Sequence, residues 1–177
     1  MDVDAPISIL VAGYGDIDHA VSDLTTVWAG RADGGFHHTA VALLGRDLDG
    51  DLQVVRSANT AEHLHWGGAL LGGPVLVLAP AAGADLLRVG GRTGAGAIIG
   101  HVRRNAEPAA LGRAAALVHA ATTSLVVVAV NRRAADMAGQ LELASLVSTV
   151  DLPWGDLEAE LSRDFVHPLP ETLLLAG

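Results

Sequence analysis

Apolar positions change period several times along the chain, and each change predicts an element. Residues 7–14, Ile-Ser-Ile-Leu-Val-Ala-Gly-Tyr, form a short apolar run of strand type. Asp16 stands where a helix N-cap belongs, and Ile17, Ala20, Val21, Leu24 and Val27/Trp28 then recur at helical spacing up to Gly30. Phe36 to Leu44 and Leu52 to Ser57 read as two strands joined by the turn Arg46-Asp-Leu-Asp-Gly-Asp51, so 36–57 predicts a hairpin. Pro108 to Ala120 is an Ala-rich helix. Thr123 to Val130 is a continuous β-branched run, the pattern of a strand buried on both faces. Ala134 to Ala144 reads as helix, 146–150 as strand and 154–165 as a short acidic helix, before a Pro-broken tail that ends apolar.

Residues 66–100 follow a different rule. They hold ten of the 21 Gly, two Pro and no aromatic after Trp66. With this stretch set aside, the order is βαββ followed by αβαβα. That predicts an α+β fold in a single domain, with a ferredoxin-like split βαβ core at 7–58 and 105–151. An inserted Gly/Ala-rich apolar helical hairpin spans 60–104, and the acidic helix and tail occupy 152–177.

The insert has three physical readings. Trp66 to Ala84 is nineteen residues without a charge, near the ~20 that span a bilayer. The second half of the insert contains Arg92, and a mid-bilayer charge costs ~2.5–3.5 kcal/mol. The small residues instead suit close helix–helix approach, as in an oligomer core, or a hairpin buried in the chain's own core. The residues expected to carry an oligomer or membrane contact are Trp66, Gly67, Gly68, Gly72, Gly73, Arg88, Arg92, Arg103 and Arg104.

Three stretches, His65 to Gly73, Ala109 to Val130 and Ala134 to Val150, resemble an uncharacterised bacterial membrane-associated domain-of-unknown-function family. The resemblance rests on the Trp-Gly-Gly opening of the hairpin, the helix followed by Ser and an apolar strand, and the closing helix and strand. It implies the same ferredoxin-like architecture and a membrane association, and no catalytic residues. Asp85, Arg88 and Arg92 depart from the pattern by interrupting the apolar hairpin.

Charge divides the chain into thirds. Residues 1–62 carry −7, residues 63–133 carry +5 and residues 134–177 carry −7, for a net −9. This acidity argues against nucleic-acid binding. The basic middle suits inner-membrane lipid or an acidic protein partner. All positive residues are Arg, so Schiff-base and P-loop lysines are excluded, and the lack of Cys excludes thiolate chemistry. The acidic start lacks a secretory basic region, so a cytoplasmic location is expected, peripheral to or inserted in the inner membrane.

Chemical motifs are sparse. Gly13-Tyr-Gly15 lacks the third Gly of a dinucleotide loop, because position 18 is Asp. The acids at 47, 49 and 51 lack the Gly and Glu spacing of a calcium loop and read as a turn. In an extended segment His63 and His65 would point to one side, and with Glu62 or His101 they form a candidate divalent-metal set. His37 and His38 extend the histidine candidates, and no other cofactor is expected. The composite expectation is a non-enzymatic self-associating scaffold or membrane-associated subunit, a homo-oligomer or part of a larger complex. The alternative is a small-ligand or metal-binding protein.

Overall fold

The computed structural model describes residues 6–31, 38–130, 137–153, 157 and 159–161. Five strands and five helices follow in the order β1 (Pro6–Tyr14), α1 (Ile17–Gly30), β2 (His38–Arg46), β3 (Leu52–Asn59), α2 (Gly67–Leu78), α3 (Pro80–Gly90), α4 (Ala95–Asn105), α5 (Pro108–Ala120), β4 (Thr123–Val130) and β5 (Leu146–Pro153). The strands form one antiparallel sheet in the order β3-β2-β4-β1-β5. Because β4 is antiparallel to both neighbours, β1 and β2 run parallel with β4 between them. By the same reasoning β4 and β5 run parallel with β1 between them.

The β-branched run 123–130 takes the central place it predicts, and every residue of β4 is buried. Side-chain alternation divides the sheet's apolar residues between two cores. Leu10, Ala12, Val41, Leu43, Leu125 and Val127 face α1, with Met137 and Leu141 beside it. Ile9, Val11, Ala42, Leu44, Val126 and Val128 face the layer made by α2 to α5, which Leu157 and Leu161 join. The molecule is therefore a sheet with helices on both faces.

The apolar stretch expected to form a two-helix hairpin folds as three helices. Pro80 ends α2, because the residue before a proline is driven out of helical geometry, and Ala79 is extended at φ −144°, ψ 87°. Pro80 then takes the first position of α3, where its missing N–H is no loss. Gly91 and Gly94, at φ +101° and +80°, turn the chain between α3 and α4. Helix α2 is apolar all round and nearly all of it is buried, as such a helix must be.

Glycine sets how closely these helices stack. A Cβ on Gly83 would lie 2.1 Å from the Leu76 backbone, and one on Gly68 would lie 1.9 Å from the Gly90 carbonyl oxygen. The helix predicted over 134–144 is helical only at 137–138 among its described residues. The chain then turns, and Leu143 N–H donates to Asp23 Oδ2 at 3.0 Å. Tyr14 Oη donates to the same Asp23 oxygen at 3.0 Å, inside the α1-side core. Asp16 caps α1 as expected, accepting from Asp18 N–H at 2.8 Å.

Two outcomes follow from this packing. Gly83→Ala and Gly68→Ala each lower stability by at least about 2 kcal/mol, because backbone must move to admit the methyl. Gly112→Ala, which meets nothing within 4 Å in α5, raises it by about 0.5–1 kcal/mol. Chemical denaturation of the three variants checks both signs. The second outcome concerns alkali. Burial, with Asp23 adding to it, holds the Tyr14 phenol well above its ordinary range. Tyr14 is the only Tyr, and the chain has no Lys or Cys. Stability should therefore fall as pH rises above about 10, where the phenol ionises only in the unfolded chain. Tyr14→Phe removes that slope, as unfolding curves from pH 9 to 11.5 would record.

Candidate functional site

The segment between β3 and α2 carries most of the polar candidates. Asn59 organises it: its Oδ1 accepts from Ala61 N–H at 2.8 Å and its Nδ2 donates to the Gly67 carbonyl. Thr60 Oγ1 accepts from Thr39 N–H at 2.9 Å and ties the segment back to β2. Residues 60–66 consequently run as successive turns, with Leu64 N–H on Ala61 O at 2.9 Å and Gly67 N–H on Leu64 O at 3.0 Å. The extended geometry that would set His63 and His65 on one side is absent. Glu62, His63 and His65 are all exposed. Among the described residues no three His, Asp or Glu side chains converge to hold a metal ion. His37 lies outside the described residues, and the His38 ring meets Trp66 edge-on, 5.5 Å between centroids.

The insert residues expected to meet lipid or another subunit are largely occupied within the chain. Cβ atoms on Gly67, Gly72 and Gly73 would strike Ala61, Leu87 and Ile98, so these glycines serve contacts inside the same molecule. Trp66 is half-buried against the α2-side core. Arg88 pairs with Asp85 one turn away. Arg92 lies exposed in the α3–α4 link, and Arg103 and Arg104 close the last turn of α4, where cations favour the helix dipole. Among the described residues no helix is long and apolar enough to cross a membrane.

Helices cover both faces of the sheet, which leaves its two edges. The β3 edge is irregular. A bulge at Val55, opposite Leu43 and Leu44 of its partner strand, shifts the register, and Arg56 adds a charge. Both features discourage strand pairing. A cleft of about 630 Å³ opens beside it, between β3 and α2–α3. Among the described residues the β5 edge lacks these defences. Residues 146–153 pair with β1 in unbroken register, and Asp151 is their only charged side chain. Leu146 and Leu143, 61% and 43% exposed, lie at the start of this strand and just before it.

The far end of β5 is pinned by a buried histidine. His101, 4% exposed, sits with Nε2 2.6 Å from the Pro153 carbonyl oxygen. A carbonyl brings no proton, so Nε2 carries a hydrogen, and Nδ1 lies 3.2 Å from Asn105 Nδ2. Glu160 Oε2 stands 3.7 Å from the same Nδ1 and 2.7 Å from the Arg104 guanidinium. The cluster joins α4, the end of β5 and Glu160. His101 was a sequence candidate for a metal set, and the fold gives it this structural place. The β5 edge, which pairs with no further strand among the described residues, is no sequence candidate, although a strand with one acid and no Lys or Arg is its sequence signal.

No family model, curated protein or solved structure matches the chain.

His101→Ala leaves the Pro153 carbonyl without its buried donor and should cost about 1–3 kcal/mol. Arg104→Ala, at a half-exposed pair, should cost less than about 1 kcal/mol. Thermal unfolding of the two variants would give the ranking, and equal losses would refute it.

Proposed function

We propose that this chain is a non-enzymatic module that self-associates, pairing β5 with β5 of a second copy to continue the sheet. The observation that carries the reading is the β5 edge, which pairs with no further strand among the described residues and is regular over 146–150. An edge strand turns alternate N–H and C=O groups outward, and proteins ordinarily protect such a row with charge, bulges or cover. β3 has two of these devices, whereas the regular stretch 146–150 has none. Antiparallel self-pairing sets like charges opposite only in the register that joins Asp151 to its own copy. The exposed Leu143 and Leu146 supply apolar area beside the joint. The insert glycines, used inside the chain, have no part in this interface.

The proposed architecture behind it is ferredoxin-like. Two interlocked split βαβ units, β1-α1-β2 around β4 and β4-to-β5 around β1, give the order β5-β1-β4-β2. Met137 and Leu141 pack beside α1, where the second crossover belongs. In this reading β3 and α2 to α5 are inserted between β2 and β4. β5 then replaces β3 as a core strand, relative to the sequence expectation.

Light scattering after size exclusion tests the association. Twice 18.1 kDa is expected for the parent chain, and Thr149→Lys should return it to the single-chain mass with unchanged circular dichroism. Leu48→Lys, in the remote β2–β3 turn, should leave it dimeric. A parent chain of single mass at every concentration, or a dimer untouched by Thr149→Lys, would sink the proposal.

A further inference from the structure

The cleft beside β3 has the size and lining of a small-ligand site. Its volume of about 630 Å³ falls within the range of ligand pockets, roughly 300–1,000 Å³. One wall is the edge strand and the other is α3, with Val54, Leu71 and Leu86 giving apolar surface. The far end is closed where α2 and α3 touch through Gly68 and Gly90, a contact too close for any side chain on Gly68. Its polar groups are unbalanced. Glu62 and Asp85 bring two carboxylates, and Arg88 brings one guanidinium that is already paired with Asp85. Glu62 has no cationic partner among the described residues.

We propose that this cleft binds a small amphipathic cation, with the apolar body against Val54, Leu71 and Leu86 and the charged head at Glu62. An anion would meet the excess carboxylate, and a neutral molecule would leave it unused. The protein's net charge of −9 draws cations toward the surface as well. The pieces of the site are set by packing rather than by the ligand. The turn held by Asn59 places Glu62, the bulge shapes β3, and the glycine contact fixes the spacing of α2 and α3. A preorganised cleft of this kind loses little entropy on binding.

The test titrates the protein with hexylammonium, hexanol and hexanoate and follows the methyl NMR signals of Val54, Leu71 and Leu86. Hexylammonium should shift these signals and bind about tenfold more tightly than hexanol, with hexanoate weakest. Glu62→Gln, an exposed change that leaves the fold intact, should abolish the preference for the cation and leave hexanol binding unaltered. Added salt should weaken hexylammonium alone. Equal binding of the cation and the alcohol would overturn the assignment. So would tighter binding of hexanoate, a Glu62→Gln variant that keeps the preference, or no shift at these methyls with any probe.

Discussion

A sheet whose central strands are apolar on both faces cannot leave either face in water. Every residue of β4 is buried, and β1 and β2 are buried almost throughout. One helix, α1, with the chain around Met137 and Leu141, covers one face. The other face requires a second layer, and α2 to α5 supply it. The composition of the insert follows from this task. A helix placed between a sheet and other helices has no wet side, so α2 is uniformly apolar and nearly wholly buried. Glycine thins the layer where helices cross, so that four helices fit over one sheet face.

The same constraint explains what the sequence made legible. β4, α1 with its Asp16 cap, the β2–β3 hairpin and α5 were readable because each is specified locally, by β-branched runs, by period or by turn chemistry. Strand order was not readable, since it depends on which strands β4 slides between. The insert was ambiguous for a physical reason. Lipid, a second subunit and the chain's own sheet all favour the same apolar, glycine-rich composition, and in the fold Gly68, Gly72 and Gly83 make close contacts within the chain. The histidine set depended on an extended 63–65, and the side chain of Asn59 instead holds that stretch in turns.

With both faces covered, the proposed contacts fall at the two edges. They are unlike each other. β3 is bulged, charged and bordered by a cleft with excess carboxylate, while the regular stretch of β5 is smooth and nearly uncharged. The proposed ligand lies at the first and the proposed strand pairing at the second. The His101 cluster limits the open part of β5 to its first half, because it ties the Pro153 end to α4 and to Glu160.

The placement of β4 also sets an order of events during synthesis. β1 and β2 lie between Pro6 and Arg46, yet the strand that joins them begins at Thr123. Until then they have no shared partner, and two strongly apolar strands wait for their centre. The intervening helices make mostly local contacts and form quickly, whereas the pairing of Val11 with Val126 closes a loop of more than a hundred residues. β2 can pair with β3 as soon as both are made, whereas both sheet neighbours of β1, β4 and β5, follow the helices in sequence. A chain made only as far as residue 122 therefore holds β1 without either of its sheet neighbours.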